Sequence, residues 1–287
     1  MSQPSSADTV PHPAIELPVP VPDPGAIELP VISALPDTAV TELPNLSPFS
    51  NLTVLILLSA LLAIAVIVFH RFPAIDRTVA AWFFVQTPCS PEKSAQSVCG
   101  DFPLRYSPTF LSVRQFLQYL PVALAAALAA ASIAWFATGR KPASPRSLQG
   151  AAVFWTYVLS VGLLVNGVFK EFWGRPRPHQ TDLFGGNFPF VPAGEMTSYC
   201  TSNCSFVSGE AAAAAWLACL VTLLPRQYAS LRPAGYLMAA VLTASASVLR
   251  MSFGAHYLSD VVIASLGTLL VFSLLAMASA HFVPTKT

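Results

Sequence analysis

The strongest constraint on this chain is a series of six apolar stretches, each near the length of about 20 residues that a helix needs to cross the hydrocarbon of a bilayer. They run approximately over 52–69, 117–138, 150–169, 206–224, 233–249 and 261–280. Backbone groups in lipid must be hydrogen-bonded within the segment that carries them, so these stretches are expected as helices. Composition agrees: 54% of the 287 residues are hydrophobic, 10% are charged and mean hydropathy is +0.60, which excludes a soluble globule with an ordinary charged surface. The expected fold is all-α, a polytopic membrane bundle of six transmembrane helices over residues 51–287. Within it, the alanine run 211–215 lets a neighbouring helix approach closely.

Residues 1–50 read differently. They are rich in proline, carry the acids Asp8, Glu16, Asp23, Glu28, Asp37 and Glu42 without any Lys or Arg, and repeat AIELPV at 14–19 and 26–31. Proline at this density blocks helix and sheet ladders, so a disordered acidic tail is expected, acting as a spacer or docking to an unidentified partner. The start lacks a positive leader ahead of an apolar core, so the first span is expected to serve as the targeting signal.

Short basic loops set the orientation. Arg140, Lys141 and Arg146 lie between spans two and three, and Arg226 and Arg232 between four and five, which puts both connections in the cytoplasm. Both termini then face the cytoplasm, and the other connections face outward. Those outer loops hold Cys89, Cys99, Cys200 and Cys204, whose pairing as two disulfides would suit an oxidising compartment. Unpaired thiols are the alternative; no histidine accompanies either pair at metal-ligand spacing.

With this topology, three polar islands meet on the outer face: Lys170 with Arg177, Ser208-Gly209-Glu210, and Arg250 with His256 and Asp260. A single cation at a membrane boundary can simply snorkel, but that does not explain the His-Asp spacing. His256 and Asp260 are four apart, so on a helix the carboxylate can accept a hydrogen bond from one ring nitrogen and leave the other free to attack. Ser208 and Gly209 at a helix start offer a hydroxyl and backbone N–H groups to an anion. Lys170, Arg177 and Arg250 supply charge to neutralise a phosphoryl group in transfer. Arg175, beside Arg177 on a proline-flanked turn, either shares that role or faces solvent. His179 is either a proton donor or a loop histidine, and Glu171, Asp182 and Glu195 read as solvated charges.

These residues resemble the type 2 phosphatidic acid phosphatase superfamily over about 72–280. Its motifs K-x6-R-P, P-S-G-H and S-R-x5-H-x3-D stand here as KEFWGRPRP (170–178), VSGE (207–210) and LRMSFGAHYLSD (249–260). The resemblance implies a metal-independent, cofactor-free reaction through a phosphohistidine, with His256 as nucleophile and Asp260 as its orienter. Lys170, Arg177, Ser208, Gly209 and Arg250 would bind the substrate phosphate. It further implies an enzyme of the inner membrane acting on a lipid phosphate or diphosphate, such as undecaprenyl diphosphate, a lipid A phosphate, phosphatidylglycerol phosphate or phosphatidic acid, with no role for nucleic acid.

The second motif departs from the family. Val207 and Leu249 stand where proline and serine are usual, and Glu210 replaces the histidine that protonates the leaving oxygen. The neighbouring cations favour a carboxylate at Glu210, which suits activation of water more than donation of a proton. That favours a leaving group needing no proton, such as that of a lipid diphosphate. A phosphotransferase using the same intermediate, and a non-hydrolytic phosphate-lipid binder or transport factor, stay open at this point.

Overall fold

In the computed structural model the described residues are 46–91, 98–138 and 145–281. The tail over 1–45 and the loop cations Arg140 and Lys141 lie outside them. Residues 46–50, expected as the end of the tail, are instead packed: Leu46 and Phe49 are buried, and the Phe49 carbonyl accepts from Ser273 Oγ at 2.7 Å. Asn51 then caps the first helix, its side chain accepting from the Thr53 N–H.

Among the described residues, five helices are long and apolar enough to span a bilayer. They are α1 (Leu52–Arg71), α3 (Pro108–Ala137), α4 (Arg146–Phe172), α6 (Arg232–Ser252) and α7 (Leu258–His281). The fourth of the six expected spans forms α5 (Gly209–Val221), a shorter helix of 13 residues. At 1.5 Å per residue it covers about 20 Å of a hydrocarbon layer about 30 Å thick. It packs against α3, α4, α6 and α7 and is buried nearly all round, including the whole alanine run. Such a helix is a core element wrapped by the others. Trp216 on α5 anchors it, with its indole N–H donating to the Val153 carbonyl of α4 at 2.7 Å.

Two departures from regular winding shape the bundle. Pro121 interrupts α3, removing one backbone donor, and lies on the buried stripe Leu117, Pro121 and Ala125. In α4 the segment Tyr157–Phe169 is wound as a π-helix, a form that recurs at functional sites.

Above one end of the bundle sits a small cap. The short helix α2 (Ala74–Ala81), a two-stranded antiparallel ribbon of β1 (Val85–Gln86) and β2 (Gly100–Asp101), and the loop between α4 and α5 build it. The disulfides Cys89–Cys99 and Cys200–Cys204 tie this cap, and Phe84, Phe102, Phe184 and Tyr257 fill its aromatic core. Gly174 has φ +71°, and a Cβ there would collide with the Thr197 backbone, so the turn after α4 requires glycine.

Replacing Ala212, 0% exposed on α5, with leucine is expected to cost about 1–3 kcal/mol through overpacking. Thermal unfolding in detergent should show a clear drop, whereas Ile133→Ala, at a side chain 70% exposed on α3, should change little.

Candidate active site

The end of α4, the start of α5, the end of α6 and the start of α7 come together under the cap, so the three islands meet at one end of the bundle. They surround a cavity of about 310 Å³. Arg114, Gln118 and Val122, four residues apart on α3, form one wall, and Tyr157, Val161, Asn166 and Lys170 of α4 form another. The α4 spacings of four, five and four match the i→i+5 winding, which keeps all four on one face where a regular helix would rotate some of them away. Arg177, Asn203, Gly209, Glu210, Ala213 and Arg250 complete the lining.

Each cation is placed by its own local structure. Lys170 ends the π-wound segment, and its Nζ lies 3.3 Å from where a Cβ would sit on Gly209, so glycine there admits the ammonium to the start of α5. Arg177 is fixed by Asn203, donating to its carbonyl from Nε at 3.2 Å and Nη2 at 2.8 Å, and to its Oδ1 at 2.9 Å. Burial lowers the pKa of Arg177, whose guanidinium remains charged throughout the ordinary range. Arg250 approaches Glu210 Oε1 with Nε at 3.4 Å. Glu210 also accepts on Oε1 from Arg114 Nε at 3.1 Å and Nη2 at 2.8 Å.

Ser208, His256 and Asp260 are buried beside the cavity and do not line it. Ser208 is the N-cap of α5, accepting from Ala211 N at 3.4 Å, and its own N–H donates to the Asp260 carbonyl at 3.2 Å. The expected hydrogen bond between His256 and Asp260 is not formed: Nδ1 and Oδ2 are 3.7 Å apart. The reason is local, since His256 sits in the turn before α7, where the i,i+4 geometry of a helix does not apply. Nδ1 instead donates to the Ser205 carbonyl at 2.7 Å. A carbonyl only accepts, so neutral imidazole carries its proton on Nδ1 and keeps the Nε2 lone pair. Burial pushes the His256 pKa down to about 4, against the opposing pull of Asp260 and with Arg250 and Arg177 adding to the fall.

Asp260 is tied to His256 through Ser205, whose Oγ donates to Oδ2 at 2.5 Å while its carbonyl holds the imidazole. Oδ2 also accepts from the Tyr257 N–H at 2.9 Å, capping α7. Arg175, neither solvent-facing nor in the cavity, is 0% exposed and donates to Asp260 Oδ1 at 2.6 Å, Asp76 Oδ2 at 2.8 Å, Ser259 Oγ at 2.8 Å and the Val191 carbonyl at 2.9 Å. Burial disfavours its charge, and Asp260 and Asp76 more than offset this. Asp76 in turn accepts from the Ser259 N–H and hydroxyl. His179 is held by the Gly254 carbonyl, 2.7 Å from Nδ1, and burial lowers its pKa.

Arg114, Asp76 and Ser205 are absent from the sequence reading. Arg114 stands at the boundary of a span and a long loop, Asp76 in a stretch read as loop, and Ser205 among polar loop residues. Only a clue of charge conservation across folded segments could have singled them out, and one sequence does not carry it.

Four cations and a neutral imidazole at the rim of a helical membrane bundle are the equipment of a membrane phosphoryl-transfer enzyme. Residues 149–282 match the PAP2 superfamily, and the chain belongs to it. It is 42% identical over 216 residues to the lipid A 4'-phosphatase of Rhizobium etli, a match covering 75% of this chain and 83% of that protein. The lipid A 4'-phosphatase of Rhizobium leguminosarum is also 42% identical over 216 residues, with 75% and 91% covered. That of Francisella tularensis subsp. novicida is 42% identical over 101 residues, 35% of this chain and 45% of that protein. No solved structure matches. The protein is a multi-pass membrane phosphatase that acts on lipid.

Removing Arg175 leaves two buried carboxylates without a counter-charge, a loss of about 3–5 kcal/mol. Arg175→Ala should therefore purify poorly and unfold at lower temperature, and Arg175→Lys, which lacks the planar fork, should recover only part of the difference.

Proposed function

We propose that this protein hydrolyses the 4'-phosphate monoester of a lipid A-type glycolipid, through a phosphohistidine on His256. The observation that carries the reading is a neutral, oriented imidazole next to a cavity lined by four cations, by polar side chains and by a few small apolar ones. Lys170, Arg177 and Arg250 suit the phosphoryl oxygens, while Val122, Val161 and Ala213 suit the apolar flank of an amphiphile. The relatives' activity on a lipid A 4'-phosphate supports a monoester over the diphosphate that Glu210 alone would favour.

In the first step Nε2 of His256 attacks phosphorus, the bond from phosphorus to the sugar oxygen breaks, and the leaving oxygen takes a proton. Ser205 holds the Nδ1 proton as positive charge develops on the ring, and Asp260 steadies Ser205. Glu210, bound by guanidinium groups, is poorly suited to give that proton, so it comes from the substrate's own monoanionic phosphate. In the second step water attacks the phosphohistidine, Glu210 accepts its proton, and inorganic phosphate leaves with His256 restored.

The reaction end is assigned to the outer, periplasmic side of an inner membrane, with both termini cytoplasmic. Support comes from the two disulfides at that end and from Arg146, Arg226 and Arg232 at the other. Arg232 also donates to the Thr222 and Leu224 carbonyls, closing the far end of α5.

Purified protein should release phosphate from lipid A in detergent, and His256→Ala should abolish release while keeping the thermal transition; turnover in that variant would overturn the reading. Since His256 stays neutral down to about pH 4 and a phosphate monoester loses its second proton near about pH 6, activity on the monoester should peak between these values. Glu210→His, supplying an acid, should shift the optimum toward neutral pH. An optimum above pH 8 in the wild type would contradict the proton route.

A further inference from the structure

Glu210 brings a negative charge into a cavity that, on the proposed function, has to hold a phosphoryl anion, and the residue that answers it comes from outside the motifs. Arg114 lies on α3, beyond the 149–282 segment matched to the superfamily, yet it places two donors on Glu210 Oε1. The Arg114 and Glu210 side chains are 30% and 16% exposed, so the pair is partly shielded and the charges act more strongly than at an open surface. The same oxygen faces Arg250 Nε at 3.4 Å, a nitrogen that is itself buried with no hydrogen-bond partner among the described residues. One carboxylate therefore sits between two guanidinium groups that would otherwise repel each other, on the wall of the cavity that also holds Lys170 and Arg177.

We propose that Arg114 and Glu210 work as one charge-compensated unit in which Arg114 is a positioning residue. Arg114 cancels the charge that Glu210 adds, so the cavity retains its affinity for a phosphoryl anion. It also holds Glu210 by Oε1 beside the proposed phosphoryl site, which leaves Oε2 to take a proton from water. The pair thus converts a site built for a histidine into one built for a carboxylate, at the expense of a fourth cation from α3. Orthophosphate, the reaction product, is recognised by the same charges without any acyl or sugar contacts, which makes it the probe that isolates this effect. The inference rests on the cavity being the phosphate site proposed above.

The test is a double-mutant cycle on full-length protein, read as competitive inhibition by inorganic phosphate and as KM and kcat on lipid A. R114Q, leaving Glu210 uncompensated, should weaken phosphate inhibition and raise KM by about tenfold. E210Q should tighten phosphate inhibition while lowering kcat, and R114K should keep wild-type inhibition within about threefold. R114Q/E210Q should return phosphate inhibition to within about threefold of wild type without restoring kcat. Unchanged inhibition in R114Q, or a double variant as weak as R114Q, overturns the proposal, the latter because it makes Arg114 a direct phosphate ligand. If R114Q does not purify folded, E210Q against the double variant reads the same coupling, and equal inhibition in those two overturns it. Failure of the parent reading is separate: it appears as turnover in His256→Ala, or as no phosphate inhibition in the wild type and every variant.

Discussion

The Arg175 guanidinium is the contact on which the rest of the site depends. It is enclosed between Asp76 of α2 and Asp260 of α7, with the Tyr257 ring 4.3 Å from its central carbon. Burying three charges is costly, and the cost is offset only because each guanidinium nitrogen donates to a carboxylate, hydroxyl or carbonyl oxygen. This closure joins the cap to the bundle at three points in the chain. It also fixes Asp260, which holds Ser205, which holds the His256 ring. The imidazole is thus oriented by a chain of short contacts rather than by its own helix.

The second constraint is repulsion among the cations. Two like charges about 4 Å apart at a partly shielded site repel by about 4 kcal/mol, so Arg114, Lys170, Arg177 and Arg250 need an anion between them. Glu210 answers part of that need, and on the proposed function a phosphoryl group answers the remainder. On the proposed function, substrate binding relieves part of this repulsion. The helix α5 serves both ends of this arrangement, since its small residues let four helices converge while its first turn presents Gly209 and Glu210.

Much of this was legible in the sequence. Five of the expected spans are long helices, the basic and histidine islands meet at one end, and the paired cysteines are bonded. What stayed hidden has physical causes. The fourth stretch is apolar like the rest, yet it forms a shorter buried helix, because hydropathy does not distinguish lipid from protein as its surroundings. The four-residue spacing of His256 and Asp260 suggests one helix face, but the helix begins two residues after His256. Arg175 reads as either a second phosphate ligand or a solvent-facing neighbour of Arg177, since its partner Asp76 lies 99 positions away on a helix too short to show a period. Arg114 and the π-wound segment carry no local signature, because one depends on a tertiary pairing and the other on how α4 is packed.

The most direct measurement is to quench the enzyme during turnover of lipid A labelled with radioactive phosphorus and to map the bound phosphate by mass spectrometry. The account predicts an acid-labile phosphoryl group on His256, absent from His256→Asn. Label on another residue, or steady turnover with no covalent label at millisecond quench times, would contradict it.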